Sequence, residues 1–436
     1  MISSLLSGSK QIAIVGLGYV GLPLAVAFSQ VGMRVIGYDR QSSKIACYQK
    51  GDDVTGEVGG DALQRSSVCF TDDPAFLTDA VVYIIAVPTP VDNVDMPDFS
   101  QLIGACEIVG VKLSRGDYVI FESTVYPGAT EEICVPILER ASGLSVGRDF
   151  KIGYSPERIN PGDRVHTLKN ISKIVSASDE EALTVVKDLY ETIIDAEVHP
   201  VSSIRTAEAI KITENTQRDV NIAFMNEMAL LYHKLGIDTK EVIDGMNTKW
   251  NHLEFRPGLV GGHCIGVDPY YLIFAAEKNQ NTLDVVKSAR RVNETVSQFI
   301  VSGIVNMLLE EETNLEKCRV CVFGITFKEN CQDIRNSKVI DIIKGLSQYG
   351  VHVYVVDPLA DREETKRMYG INLCEMSDVH DVDCVVAAVA HDCFKFIHVD
   401  EMKKLFSGRH SPTLIDIKGI FCKNEYIHHG YRYFSL

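Results

Sequence analysis

The sequence predicts an α/β protein built from two Rossmann-like, doubly wound domains joined by a central helical dimerisation domain. Three observations lead there. Short apolar runs alternate with helical spacers along the first part of the chain. Residues 204–235 then contain neither proline nor glycine, and a second alternating stretch begins near Arg319. The limits read from these changes are 1–200, 201–312 and 313–436. A chain of 436 residues suits that count, at about 150 residues per domain.

The first strand is the apolar run Ile12 to Val15, followed by a glycine-rich turn and a helical pattern from about Val20 to Val31. A second strand, Arg34 to Tyr38, stops at Asp39. Further strands are expected at Val81 to Val87, Tyr118 to Phe121, Lys151 to Tyr154 and Ile174 to Ser176. Strands separated by helical spacers form a parallel, doubly wound sheet. From about Ile204 the pattern is one long helix. Ala223, Phe224, Met225, Met228, Ala229, Leu230 and Leu231 make it apolar nearly all round, so it needs burial on several sides. A subunit interface supplies that burial. A glycine- and proline-rich loop, Trp250 to Pro269, separates it from a second long helix, about Leu283 to Leu309. The last domain repeats the α/β pattern. A strand at Val320 to Phe323 ends at Gly324, a helix covers about Lys338 to Tyr349, and a strand, Val351 to Val356, ends at Asp357.

Composition narrows the function classes. Hydrophobic residues make up 46% and charged residues 23% of the chain, which excludes disordered and collagen-like chains. With 59 acidic and 43 basic side chains the net charge is −16, so neither nucleic acid nor a membrane surface is an expected partner. A few local cations still serve an anionic substrate. The first eleven residues carry no apolar segment of the secretory type, and the longest apolar runs are too short for a bilayer. The 12 cysteines show no framework spacing. The expectation is a cytoplasmic protein with reduced thiols. No metal is expected: Cys318 and Cys321 form C-x-x-C without a second ligand pair of suitable spacing.

The nucleotide signal is Gly16-Leu17-Gly18-Tyr19-Val20-Gly21, directly after a strand and before a helix. Gly16 allows the tight turn, Gly18 lets backbone approach a pyrophosphate, and Gly21 lets helix and strand pack closely. The helix N-terminus supplies N–H donors to phosphates. Asp39 follows about 20 residues on, where the ribose-binding acid belongs. A carboxylate there favours NAD over NADP, and Arg40 beside it softens the choice. Val87-Pro88-Thr89-Pro90 and Glu122-Ser123-Thr124 follow apolar strands, and strand C-termini line the crevice of an open sheet. Either segment alone reads better as ordinary turn chemistry.

The most unusual local sequence is Gly261-Gly262-His263-Cys264-Ile265-Gly266-Val267-Asp268. Its glycines allow a ligand close to the backbone. A single cysteine is more often a small buried hydrophobe than a nucleophile. Glu208, Lys211 and Asn215 share one face of the long helix, and the plain alternative is a solvated face with a weak Glu208–Lys211 ion pair. Glu157 follows a strand end as a candidate partner carboxylate; its plain alternative is a surface acid next to Arg158.

Together these motifs resemble the nucleotide-sugar 6-dehydrogenase family, which includes UDP-glucose and GDP-mannose dehydrogenases. The resemblance covers nearly the whole chain. It rests on Gly16 to Pro23, Glu122 to Gly128, Ser155-Pro156-Glu157, the Glu208/Lys211/Asn215 helix, Gly261 to Asp268, and Phe327-Lys328 with Asp333 to Ser337. The resemblance implies NAD as cofactor, a UDP-sugar as substrate, and a homodimer or larger homo-oligomer. It implies that Cys264 is the thiol nucleophile, that Lys211 and Asn215 stabilise the oxygen at C6, and that Thr124, Glu157 and Asp268 hold and activate water. It assigns Gly16, Gly18, Tyr19, Val20, Gly21, Asp39, Arg40, Thr89, Pro90, Thr124 and Arg335 to the cofactor. Glu157, Arg158, Lys211, Asn215, Arg256, Gly261 and Lys328 go to the substrate.

The residue types suit a four-electron oxidation. A thiolate captures the aldehyde as a thiohemiacetal, a second hydride transfer gives a thioester, and water hydrolyses it. A nearby cation favours the thiolate, and Lys211 is the candidate. Val267 stands where the glucose-type members carry lysine. That loop, with Arg158-Ile159-Asn160-Pro161-Gly162-Asp163 and Trp250-Asn251, resembles the branch acting on UDP-N-acetylhexosamines in Vi-polysaccharide and O-antigen pathways. The implied substrates are UDP-GlcNAc and UDP-GalNAc, with UDP-ManNAc and UDP-glucose as alternatives. Arg158 and Asn160 are the candidate partners of the acetamide. Two rivals differ in class. A non-catalytic NAD-binding sensor predicts loss of Cys264, Lys211 or Glu157, and none is lost. A simple two-electron dehydrogenase needs neither the thiol nor the third domain.

The position of Asp39 generates a first prediction. NAD gives a higher kcat/KM than NADP, and Asp39→Ala narrows the gap; steady-state kinetics with both cofactors checks it, and comparable values for the wild type contradict it.

Overall fold

Strands that read as nearly continuous apolar runs belong in sheets covered on both faces, and in this chain they form two. The computed structural model describes residues 1–436 apart from 93, 160–164, 312–313, 407 and 409–410. The described residues group into two units, Met1–Glu214 with Tyr270–Thr282, and Asn215–Pro269 with Leu283–Leu436. The helical middle of the chain contributes to both.

The first unit contains β1 (Gln11–Val15), β2 (Arg34–Tyr38), β3 (Cys69–Thr71), β4 (Ala80–Ile85), β5 (Tyr118–Phe121), β6 (Lys151–Tyr154), β7 (Lys173–Ala177) and β8 (Val198–Pro200). They form one sheet in the order β3-β2-β1-β4-β5-β6-β7-β8. The first six follow the 3-2-1-4-5-6 order of dinucleotide-binding folds. Ile12, Ile14, Val82 and Ile84 are fully buried and join one core with the helix Gly21–Gln30. One expectation is corrected. The sheet is not parallel throughout, because β7 runs antiparallel to β6, with Gly153 opposite Ala177 and Tyr154 opposite Ser176. A parallel neighbour needs a long crossover, usually helical. The described residues between β6 and β7 contain no helix, and the chain turns back beside the strand it has left.

The second unit carries β9 (Arg319–Phe323), β10 (His352–Val356), β11 (Cys384–Ala387), β12 (Thr413–Asp416) and β13 (Arg432–Ser435). All pair in parallel in the order β10-β9-β11-β12-β13, the other common doubly wound arrangement. The helix Asp284–Glu310 packs Val296, Ile300, Ile304 and Leu308 into the core of this sheet. Their spacing of four keeps them on one face.

The helix Ile204–Leu235 has the expected limits. Its apolar residues divide: Ala223, Met225 and Ala229 are buried, while Phe224, Leu231 and Leu235 are 54%, 45% and 60% exposed. The helix is also less uniformly apolar than expected. Asp219 is fully buried and ion-paired with Arg290 at 2.6 Å, and Asn293 donates to the same oxygen at 2.7 Å. The loop expected to run through Pro269 ends earlier, where the helix Asp268–Lys278 begins. Proline suits the first turn of a helix, where no N–H is needed.

Asp357, after β10, mirrors Asp39 after β2 but is differently engaged. Its Oδ2 accepts from Ile325 N–H at 2.7 Å and lies 3.2 Å from Nε2 of the fully buried His391. Its Oδ1 accepts from Leu359 and Ala360 N–H at 2.9 and 3.0 Å. Among the described residues, no helix is long and apolar enough to cross a membrane.

Candidate active site

In the first unit the candidate residues gather where parallel strands end. Gly16 follows β1 with φ +94°, and a Cβ there meets the Ala86 carbonyl oxygen at 2.7 Å. A Cβ on Gly21 meets the Gly16 oxygen at 1.8 Å, whereas one on Gly18 meets nothing within 4 Å. Two glycines are thus required by the fold, and the third leaves open space over the helix N-terminus. That is the cradle a pyrophosphate needs. Tyr19 and Val20 are half-buried in the same turn.

Asp39 is 8% exposed. Its Oδ2 accepts from Leu17 N–H and lies 3.0 Å from Lys44 Nζ, and its Oδ1 accepts from Gln41 N–H. Arg40 is exposed. Lys44, not singled out from the sequence, is the cation that pairs with Asp39. Its only signal was a position one helical turn after the acid.

Three turns follow the adjacent strands β4, β5 and β6. Thr89 Oγ1 donates to the Thr124 carbonyl at 2.6 Å, so two of the turns touch. Tyr271 OH lies 2.9 Å from the Thr89 carbonyl and 3.3 Å from that of Pro90. Glu157 is buried, not the surface acid of the plain alternative. Its Oε1 accepts from the N–H groups of Arg158 and Ile159, both at 2.6 Å. Its Oε2 lies 3.4 Å from the ammonium of Lys173. The Arg158 guanidinium bonds Glu214 at 2.7 Å and the Ser172 carbonyl at 2.9 Å. Asn160 to Asp163 lie outside the described residues.

The helix face bearing Glu208, Lys211 and Asn215 is buried, with exposures of 0%, 8% and 8%. This corrects the solvated-face alternative. Glu208 accepts from the N–H groups of Gly128 and Thr130, and burial pushes its carboxyl up to about 7 despite those bonds.

In the second unit the thiol loop is fixed on both sides of its glycines. Asn226 Oδ1 accepts from Gly258 N–H at 2.7 Å, and its Nδ2 donates to the Gly258 oxygen at 3.1 Å. Asn336 holds Gly262 by one main-chain and one side-chain bond: its main-chain carbonyl accepts from Gly262 N–H at 3.0 Å, and its Nδ2 donates to the Gly262 oxygen at 2.8 Å. Asn226 was not singled out from the sequence, although an amide amid the apolar run around it was a signal; Asn336 stood in the Asp333 to Ser337 motif without an assigned role. Gly261 has no room for a side chain, since a Cβ meets the Asn336 oxygen at 2.4 Å. Cys264 is exposed. Its carbonyl accepts from the N–H groups of Val267 and Asp268, opening the next helix. Asn215 Nδ2 donates to Asp268 Oδ2 at 2.5 Å, so these two candidates are in contact.

The remaining candidates already have protein partners. Arg335 bonds both oxygens of Asp333, and His263 Nε2 lies 3.5 Å from the same carboxylate. Asp333 is buried, yet these bonds hold its carboxyl far below the ordinary range. Arg256 pairs with Asp244 and Glu254. Lys328 is half-buried, and its carbonyl accepts from Thr326 Oγ1. Cys318 and Cys321 are fully buried, and burial pushes both thiols up, Cys318 to about 11.

The chain was compared with known proteins. Three family models match it in order. The NAD binding domain of the UDP-glucose/GDP-mannose dehydrogenase family matches residues 10–194, the central domain matches 205–295, and the UDP binding domain matches 321–423. "Protein CapL" of Staphylococcus aureus is 46% identical over 96% of this chain and 97% of its own. The "UDP-N-acetyl-D-glucosamine 6-dehydrogenase" of Pseudomonas aeruginosa is 45% identical over 94% and 96%. The structure of the UDP-D-ManNAc dehydrogenase from Pyrococcus horikoshii superposes with a TM-score of 0.89 at 31% identity, covering 98% of this chain and 99% of that one.

The glycine turn generates the second prediction. Gly18→Ala leaves the melting temperature of the free protein unchanged and raises the Kd for NAD by about tenfold or more. Gly21→Ala lowers the melting temperature because its Cβ has no space. Differential scanning fluorimetry and calorimetric NAD titration check both; undiminished NAD affinity in Gly18→Ala refutes the cradle.

Proposed function

Because the chain belongs to the UDP-glucose/GDP-mannose dehydrogenase family, whose members are NAD-dependent nucleotide-sugar oxidoreductases, we propose that it oxidises the C6 hydroxyl of a UDP-N-acetylhexosamine, UDP-GlcNAc or UDP-GalNAc, to the uronic acid. The product serves surface polysaccharide synthesis in the cytoplasm. The observation that carries the mechanism is an exposed thiol, Cys264, in a loop whose backbone is fixed by Asn226 and Asn336. The relatives named for UDP-N-acetyl-D-glucosamine support the sugar class, and CapL supports the capsule setting.

The balance is one alcohol, two NAD⁺ and one water giving one carboxylate, two NADH and three protons. Bound NAD supplies the hydride acceptor for both oxidations. Asp39 receives the adenosine ribose, and the open face of Gly18 receives the pyrophosphate. Thr89, Pro90 and Arg335 complete the cofactor contacts, with Tyr19, Val20 and Arg40 beside them. Lys211 and Asn215 stabilise negative charge on the C6 oxygen. The Cys264 thiolate adds to the aldehyde carbon, so the aldehyde stays bound. Thr124 and Asp268 hold the hydrolytic water, and Glu157 takes its proton. Arg158, Arg256, Gly261 and Lys328 contact the UDP-sugar. The functional segments are the three read from the sequence: 1–200 for the cofactor, 201–312 for the thiol loop and assembly, and 313–436 for the UDP group.

The exposed Phe224, Leu231 and Leu235 support assembly of at least a homodimer through the helix Ile204–Leu235. Light scattering at micromolar concentration returns at least twice the 48.3 kDa chain mass; a monomer contradicts this.

A sugar panel tests the activity. UDP-GlcNAc or UDP-GalNAc exceeds UDP-glucose in kcat/KM by about tenfold or more, each uronic acid formed yields two NADH, and Cys264→Ala abolishes uronic acid formation. Faster turnover of UDP-glucose overturns the sugar class, and near-normal turnover of Cys264→Ala removes the covalent route.

A further inference from the structure

Lys173 is the most deeply buried cation among the described residues of the first unit, with a side chain 3% exposed. An ammonium has three donors, and three acceptors surround this one. Glu122 Oε2 lies 2.6 Å away, and Glu157 Oε2 and the Pro156 carbonyl lie 3.4 Å away. The other Glu122 oxygen accepts from Tyr190 OH, also fully buried. Lys173 therefore holds the Ser155-Pro156-Glu157 turn by both its main chain and its carboxylate. Ser155 Oγ ties the same turn to the Ile174 carbonyl, the next residue of β7.

The sheet explains how a lysine reaches this place. In a parallel strand the first residue lies at the edge opposite the strand C-termini. β7 is antiparallel to β6, with Tyr154 opposite Ser176. Continuing that register by three residues sets Lys173 opposite Glu157, and directly opposed side chains point to the same face of the sheet.

We infer that Lys173 is a positioning residue for thioester hydrolysis, fixing the Glu157 carboxylate in the orientation that accepts the proton of water. This rests on the role proposed above for Glu157. In the step concerned, the water oxygen bonds to the acyl carbon and its proton passes to Glu157. The carbon–sulfur bond then breaks, and the Cys264 thiolate leaves with the electron pair. Glu157 has two backbone donors on one oxygen and the lysine on the other, so its rotamer is set from both ends. Burial opposes charge on Lys173, but Glu122 and Glu157 outweigh it and hold the ammonium above the ordinary lysine value. The anchor thus stays cationic at neutral pH. Its three acceptors all belong to the protein, so it is expected to act on the rate of one step and not on affinity.

The test compares Lys173→Met, Lys173→Arg and Glu157→Gln in the full chain, with NAD and the best sugar nucleotide of the panel above. Rapid-quench kinetics and intact-mass spectrometry follow NADH and the Cys264 adduct. Lys173→Met is expected to lower kcat by about tenfold or more, to leave both KM values within about threefold, and to accumulate the acyl adduct after a burst of NADH. Lys173→Arg restores kcat to within about fivefold of wild type, because a second cation holds the carboxylate. The paired variant Lys173→Met with Glu122→Gln removes both buried charges. It replaces the single variant if the latter does not fold, and the same adduct is expected. If Glu157→Gln accumulates adduct and the lysine variants do not, or if they lose the hydride steps in parallel, this inference falls while the role of Glu157 stands. If Glu157→Gln itself accumulates none, the Glu157 role falls first and the inference with it.

Discussion

The constraint on which the first unit depends is the common direction of β1, β4, β5 and β6. Parallel strands deliver all their C-termini to one edge, and each is followed by a turn that must satisfy its own polar groups away from the ladder. The glycine turn, the Thr89 and Thr124 turns and the Glu157 turn are consequences of that one arrangement. Their contacts are short and join side chains to main chain, as the Thr89–Thr124 bond illustrates. Chemistry at this edge therefore inherits its precision from strand pairing.

The second unit reaches comparable precision by another route. Its thiol lies on a loop, and loops are ordinarily the more mobile part of a fold. Here side-chain amides replace strand pairing. An asparagine offers one donor and one acceptor in nearly the geometry of a peptide group. Asn226 uses both side-chain groups on Gly258, whereas Asn336 sets its side-chain N–H and its own main-chain carbonyl against Gly262. The glycines are needed because their neighbours come so close: a Cβ on Gly261 meets the Asn336 oxygen at 2.4 Å, and one on Gly262, at φ +79°, meets the Phe327 ring at 2.5 Å.

Much of this was legible in the sequence because it is local. The limits of Tyr118–Phe121, Lys151–Tyr154 and Ile204–Leu235 follow from runs of residue type. So does the register of the glycine turn with Asp39. What escaped was long-range. β3 and β8 are only three residues long, too short for a pattern. The antiparallel turn of β7 depends on a connection whose direction no periodicity encodes. The candidate site divides in the same way. Cys264, Glu157 and Asp268 stand in distinctive motifs, and those motifs carried the family resemblance. Lys173, Asn226 and Asn336 act on partners 16, 32 and 74 positions away, and although Asn336 stands in a distinctive motif, no local pattern names those partners. Burial of the Glu208 face also required the tertiary structure, since its partners Gly128 and Thr130 lie 80 and 78 positions away.

Repeating a nucleotide-binding topology within one polypeptide carries a hazard of mistaken identity, because each copy brings an acid to the same position. Asp357 shows how the second copy is silenced. A carboxylate offers about four lone-pair sites, and Ile325, Leu359, Ala360 and His391 already occupy them. No acceptor capacity is left for the hydroxyls of a ribose. The position survives in the topology, but in the second sheet the protein's own groups fill it.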